Sequence, residues 1–420
     1  MKKREILLVA ILCAVSFSSG AQDLNTGFFL DSYAFGHRIN PALQCSSSSV
    51  SGYAGIGVDI VNVMARTNVA PSNFVFSLDD GTLVSGLDNR IPADEFLGGI
   101  KDNNNIILGL NENILSFGTR GKRGLSYNFE MNVKSLNNLN VSSDVFKLLK
   151  KGVSSPVVDI NDFSLSSDSY VEFALGFAKR RDNFSLGFKV KALAGIASAQ
   201  ASLKQLKANY IDDTFSIVGT GEIKMAAAPL SIVGSDGVIS TPEFAGPKDS
   251  GLGVAFDLGF CYNIGALEIS AAVVDLGGIT WKYDTEGTLY YDSADGEQFR
   301  VVGNESSISF KMLPLTVNAG VRYGINRMLS AGVLGTYKYG FAGILEARAG
   351  LTFTPGSILS LAVSGGLNNF GPVCGAALNL CLGPVNLYAG IDGIIAGFTA
   401  QGVPENPLNT TASAGLLISW

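Results

Sequence analysis

The 420-residue chain carries 30 Lys and Arg against 36 Asp and Glu, a net charge of −6, with one histidine, 50 glycines, 16% charged and 47% hydrophobic residues. That balance excludes a nucleic-acid binder, which needs basic side chains to neutralise phosphates, and one histidine excludes an HExxH zinc site or a three-histidine metal centre. Mean hydropathy is +0.28, yet beyond the N-terminal residues no segment approaches the roughly 18–20 uninterrupted apolar residues of a membrane helix, so apolar and polar residues must alternate.

Lys2, Lys3 and Arg4 precede an apolar run from Ile6 to Phe17, and Ser19-Gly20-Ala21 offers the small residues of a signal-peptidase site. Residues 1–21 read as a secretory signal peptide, with cleavage expected after Ala21. Cys13 leaves with it, and Leu12 before it argues against a lipid-attachment site. Losing Lys2, Lys3, Arg4 and Glu5 leaves 27 basic against 35 acidic side chains, a mature charge of −8. Residues 22–49 do not alternate, and Phe28, Phe29, Leu30, Tyr33 and Phe35 are too apolar for a segment left in water. We expect this segment to plug the lumen of the domain that follows, residues 50–420.

Period-2 alternation then recurs along the chain. In 124–134, Leu125, Tyr127, Phe129, Met131 and Val133 alternate with Ser126, Asn128, Glu130, Asn132 and Lys134. Phe184, Leu186, Phe188 and Val190 do the same against Ser185, Gly187, Lys189 and Lys191. With 51–64, 106–118, 171–177, 215–225, 252–262, 267–273, 315–323, 329–333, 345–353, 357–368, 372–382, 385–395 and 411–420, fifteen segments fit. Crossings of about ten residues suit a tilted membrane strand, and a closed barrel is the one strand structure whose backbone is fully bonded in lipid. Bacterial barrels favour even strand numbers. The expectation is an all-β, transmembrane, antiparallel up-and-down barrel of 14 strands, with 16 as the alternative and a missed strand near Ser306–Met312.

Turns such as Arg180-Arg181-Asp182-Asn183, Ile325-Asn326-Arg327 and Pro355-Gly356 join neighbours. Long connections are expected at 65–105, 135–169, 194–214, 226–251, 277–314 and 396–410, with short helices over Ala93–Ile100 and Asp144–Lys151. The chain ends on alternating Leu416, Ile418 and Trp420.

Little here suggests catalysis, and no enzyme activity, cofactor or metal is expected. His37 sits in the N-terminal segment away from any nucleophile motif and reads as a hydrogen-bonded residue of the plug. Asp236-Gly237 with Glu243 resembles half of an EF-hand loop, but Ile232 and Gly234 cannot supply its first ligands. Cys45, Cys261, Cys374 and Cys381 form no C-x-x-C pair, and Cys374 and Cys381, on one strand, would lie roughly 23 Å apart, too far for a disulfide. The charges opposite the apolar positions are Glu130, Lys134, Lys189, Lys191, Asp257, Arg322, Glu346 and Arg348. Their mixed signs predict a salt-bridged, largely filled lumen, with Lys189, Lys191, Arg322 and Arg348 as candidate ligand contacts.

Asn40-Pro41-Ala42, ahead of the first strand, resembles the N-terminal Asn-Pro-Ala triplet of the long-chain fatty-acid transporter barrels. Asp275-Leu276-Gly277-Gly278-Ile279-Thr280-Trp281 and Gly383-Pro384-Val385-Asn386-Leu387-Tyr388 look like uncharacterised outer-membrane barrels distantly related to that family. The resemblance implies a 14-stranded barrel closed by an N-terminal hatch in a Gram-negative outer membrane, and carries over only Asn40, Pro41 and Ala42. The aromatic end at Trp420 is similar to the signal read by the barrel assembly machinery. The expected function is a porin-like transporter or channel for small ligands, hydrophobic ones and lipids among them. A surface-exposed binding or anchoring barrel and a secreted soluble β-protein are the competing classes.

Overall fold

The computed structural model describes residues 24–45 except 32 and 34, then 52–56, 59–152, 163–211, 214–226, 230–234, 236–244, 249–293, 298–340, 343–393 and 397–420. The expected leader, residues 1–21, lies outside the described residues, as do 46–49 of the N-terminal segment.

One antiparallel sheet of seventeen strand elements closes on itself. Three wall strands are built from two elements each, so fourteen positions make the circuit. They are β1 (Gly52–Ile56 and Asp59–Thr67), β2 (Asn103–Arg120), β3 (Leu125–Ser142), β4 (Phe163–Arg181), β5 (Phe184–Ile211), β6 (Thr214–Ala226 and Gly251–Ile264) and β7 (Leu267–Asp292). The circuit continues with β8 (Gln298–Met312 and Thr316–Gly324), β9 (Leu329–Lys338), β10 (Ile344–Phe353), β11 (Leu359–Asn368), β12 (Gly371–Leu382), β13 (Val385–Asp392) and β14 (Asn409–Ser419). Closure is β1 on β14, with Tyr53 opposite Ser419 and Met64 opposite Thr411.

The expected count of 14 holds, and two of the fifteen segments prove to belong to one wall strand. Residues 215–225 and 252–262 are the two halves of β6, separated by an insertion, and the strand suspected near Ser306–Met312 is the upper half of β8. Alternation works as expected where the wall would meet lipid: along Ile344–Phe353 every even-numbered residue is buried and every odd one exposed. Leu252, Val254, Leu351 and Val363 are among the outward side chains more than half exposed. Such an apolar belt over closed strands is what a bilayer crossing requires.

Much of three expected loops is wall instead. Residues 135–142 with 163–169, 194–211, and 277–292 with 298–312 continue as strand, making β5 28 residues long and β7 26, against 10 each for β9, β10 and β11. A crossing needs only about 9–11 residues, so one side of the barrel stands far above the other. The apolar face ends where lipid would end, while backbone pairing continues without it; alternation therefore registers the belt and misses the extension. Within 226–251, also expected as loop, Leu230–Val233 and Ile239–Phe244 form a hairpin. Its Val233 and Ile239 pack on Ile223, Leu289 and Val301 of the tall wall. The helices appear as Ala93–Gly98 and Ser143–Lys151, joined by edge-on contact of Phe96 and Phe146. At the other end the turns are tight; Gly265 and Gly383 reach φ +59° and +63° in connections of two residues.

Candidate functional site

Leu24–Cys45 lies against the inner face of the barrel as two short 3-10 segments, Asn25–Phe29 and Pro41–Cys45, flanking a helical turn at Gly36–Ile39. No helix this short is stable alone; the segment is held by what it touches. Phe28, Phe29, Leu24 and Ile39 join Cys261, Leu334, Ala362 and Ala377 of the wall in one apolar cluster. Phe35, wholly buried, packs with Tyr53 of β1, Tyr388 of β13 and Leu417 of β14, and the Arg38 guanidinium lies 4.1 Å from its ring centre.

Asn40-Pro41-Ala42 sits against the neighbouring strands β5, β6 and β7. The Asn40 amide donates to the carbonyls of Phe260 and Ala271, 3.0 and 3.2 Å away, and its Oδ1 accepts from the Ala42 amide at 2.9 Å. Gly187 and Gly259, cross-strand partners on β5 and β6, open the space. A Cβ on Gly187 would come within 2.2 Å of the Pro41 carbonyl carbon, and one on Gly259 within 2.1 Å of Asn40 Oδ1.

Charge ties the segment down at three further places. Glu130 of β3, 1% exposed, accepts from Arg38 Nε at 2.8 Å and Lys189 Nζ at 3.0 Å, with His37 Nε2 at 3.1 Å. Arg348 of β10 pairs with Glu346 and Asp392 at 2.9 and 2.5 Å, and Asn25 bonds both acids, from its side chain at 2.8 Å and its backbone amide at 2.7 Å. Arg322 of β8 pairs with Asp31, which also accepts from Thr354 at 2.9 Å. A separate cluster joins Lys191 to Asp257 and Asp275 at 2.7 and 2.6 Å, and Lys134 to Glu172 at 2.8 Å.

Arg322 and Arg348 thus meet the N-terminal segment directly and Lys189 through Glu130, whereas Lys191 meets other wall residues. All the charges expected in the lumen point there. Glu172, also part of this network, lies at an inward position between Val171 and Phe173 and was readable by the same parity. Asp275 was not: the register slips between Phe256 and Leu258, and Asp275 takes φ +62°, so counting by twos from Val273 turns it outward. Asp392, at an inward position of the 385–395 run opposite Leu387 and Ile391, was readable by the same parity, whereas Asp31 lies outside any alternating run.

His37 is fully buried, and burial first, then the nearby Lys189, holds its imidazole below the ordinary range. The group is therefore neutral when seated, so its contribution is complete above the ordinary imidazole range near pH 6.5 and is lost as pH falls below it. A proton there adds a cation beside Arg38 and Lys189 against the single carboxylate Glu130. Hydrogen exchange across residues 35–45, corrected for intrinsic rate, is expected to accelerate between pH 7.5 and 5.5 in the native chain and not in His37→Gln; equal protection at both pH values would refute the assignment.

Two cavities border these elements. One of about 60 Å³ with a mixed lining lies beside the segment, bordered by Asn25, Arg38, Lys134, Asp275, Ile39 and Val274 among others. A largely apolar one of about 120 Å³ lies on the outward face of the tall wall, between Ile106, Leu108, Leu139, Leu165 and Ala199. Among the described residues no group of His, Cys, Asp and Glu is arranged to hold a metal ion, and Cys261, Cys374 and Cys381 form no disulfide.

A family model described as a family of unknown function (DUF5723) matches residues 41–392. No curated protein sequence matches the chain. Among solved structures, a deletion mutant of the monoaromatic hydrocarbon channel TodX is similar with a TM-score of 0.50 at 10% identity, over 96% of this chain and 97% of that one. The P. putida toluene transporter TodX gives 0.49 at 10% identity over 96% of each chain. The Ralstonia pickettii toluene transporter TbuX gives 0.48 at 10% identity over 93% of this chain and 94% of that one. At such identities the likeness speaks to the fold alone.

Proposed function

The chain belongs to the DUF5723 family, and from that starting point we propose that it is an outer-membrane barrel of a Gram-negative bacterium that passes small ligands, hydrophobic ones among them, through a lumen plugged by its own N-terminal segment. The observation that carries this reading is the seating of Asn40-Pro41-Ala42 in the gap left by Gly187 and Gly259, backed by the Arg38–Glu130 and Asp31–Arg322 pairs. A barrel that were only a mount would fill its lumen with wall side chains; here a separate, polar-tethered segment does so, and such a segment can be moved. The ligand class agrees with the monoaromatic hydrocarbon channel named among the similar barrels. Lys189, Arg322 and Arg348 act on this reading as anchors of the plug, and Trp420 closes the strand offered to the barrel assembly machinery. No catalytic residue or cofactor enters it.

Organic extraction of the detergent-purified protein, followed by mass spectrometry, is expected to yield an apolar molecule near one equivalent, and Gly187→Leu, which unseats Pro41, to lose most of it. Extracts identical to those of an unrelated barrel would sink the proposal. The second reading, a surface-exposed binding barrel, is favoured by the tall wall with its hairpin, Leu230–Val233 and Ile239–Phe244. It requires a stoichiometric protein partner that is lost when 230–244 is trimmed.

A further inference from the structure

The tight turns at the short end of the barrel are not alike. Gly265-Ala266, residues 354–358 and Gly383-Pro384 carry no charge, and residues 325–328 carry only Arg327. Residues 120–123, between β2 and β3, and residues 179–182, at the end of β4, instead hold six cations against the single carboxylate of Asp182. The mature chain stands at −8, so this part of the rim is opposite in sign to the molecule that bears it.

The two turns touch. Leu125 is in register with Lys179, and a Cβ on Gly124 would come within 2.7 Å of the Arg180 carbonyl oxygen. Lys179 donates to the Arg123 carbonyl at 2.7 Å, which places its charge beside that of Arg123. Arg123, Lys179, Arg180 and Arg181 are all exposed. Asp182 is 4.0 Å from Arg181, with the two side chains 92% and 89% exposed, and one such carboxylate cannot neutralise four cations. On the tall wall the chain supplies its own counter-charges, pairing Lys204 with Glu222, Lys224 with Glu286 and Lys282 with Asp249.

Depth identifies what the rim meets. Along β4 the outward positions run Leu175, Phe177, Lys179 and Arg181. Phe177 meets Tyr127 edge-on at 5.7 Å, Phe184 lies tilted against Tyr262 at 6.5 Å, and Phe117 against Trp420 at 6.3 Å. Such a girdle of outward rings marks the interface between membrane and water. Lys179 and Arg181 lie two and four residues beyond Phe177, about 7 and 13 Å along the strand, at the level of lipid headgroups. Short turns of such barrels face the periplasm, where the leaflet is phospholipid. Arginine binds phosphate through paired charge-assisted hydrogen bonds, and clusters of four to eight basic residues at a membrane surface attract anionic lipid.

We propose that Arg123, Lys179, Arg180 and Arg181 form a binding site for the phosphate headgroup of an anionic phospholipid in the periplasmic leaflet. The proposal rests on the membrane placement given above and not on transport.

Native mass spectrometry of the purified chain in detergent, with phosphatidylglycerol or phosphatidylcholine added at equal concentration, is expected to show phosphatidylglycerol adducts several-fold the more abundant. Arg123→Gln, Lys179→Gln, Arg180→Gln and Arg181→Gln together should remove most of that preference, while Lys204→Gln, Lys224→Gln and Lys282→Gln together should leave it. Equal adducts of the two lipids on the unsubstituted chain, or a preference that survives in the rim variant, overturns the proposal. So does displacement of the lipid by millimolar inorganic phosphate, the mark of a free-anion site, or a periplasmic protein partner lost from a rim variant that keeps its lipid. Heat-modifiable gel migration verifies that each variant has folded. A chain that stays monodisperse without detergent would overturn the membrane placement as well, whereas equal binding of the two lipids leaves that placement standing.

Discussion

Deleting residues 22–49 behind an intact leader is expected to raise single-channel conductance in planar bilayers several-fold. Barrels widen with strand number: eight strands are filled by their own side chains, and sixteen to eighteen leave an aqueous channel. Fourteen lie between, so the interior needs more than wall side chains to fill it. Here Leu24, Phe28, Phe29, Phe35 and Ile39 do the filling, each at most 4% exposed. Without them Gly187, Gly259 and Gly350 face empty space, since Gly350 now lies against the Phe29 ring. Unchanged conductance, in a variant that keeps its heat-modifiable migration, would mean that wall side chains alone seal the lumen and that the segment is no plug.

The second large effect is expected at Glu130. Replacement by Ala leaves Arg38 and Lys189, both at least nine-tenths buried, without their shared carboxylate. Breaking a buried ion pair from one side costs about 3–5 kcal/mol, because the remaining charge is neither solvated nor paired. The loss should appear as a lower denaturant midpoint for folding in detergent. Replacing all three residues together, Glu130→Gln with Arg38→Met and Lys189→Met, should recover most of it, since no charge is then stranded. A Glu130→Ala midpoint within about 0.5 kcal/mol of the parent, the usual range for a surface change, would show that the cluster is solvated rather than sealed.

The barrel was legible because lipid imposes a rule on every second residue. The runs Leu125–Val133 and Phe184–Val190 could be placed with their inward partners Glu130 and Lys189 from spacing alone, and both pairs fall as read. Parity also explains the failures. It cannot follow a bulge, so Asp275 escaped; it is silent where strands rise out of the apolar zone, so the upper parts of β3, β4, β5, β7 and β8 passed for loops. The N-terminal segment was recognised by exclusion, as apolar sequence without period, which said nothing of which wall residue each of its side chains would meet.

What the sequence by itself determined is the class of structure: two-faced strands, an even circuit of fourteen, mixed charge turned inward and an aromatic end. Each follows from contact between a residue and its immediate solvent, lipid or water, and such contact is local. Only the tertiary structure decided that Arg38, His37 and Lys189 converge on Glu130, that two glycines on neighbouring strands open a seat for Pro41, and that β9 pairs with the lower half of β8. Those are relations between residues far apart in the chain, 220 positions in the case of Asn40 and Phe260. They depend on the register and height of each strand around the closed wall, and alternation, which repeats every two residues, does not encode either one.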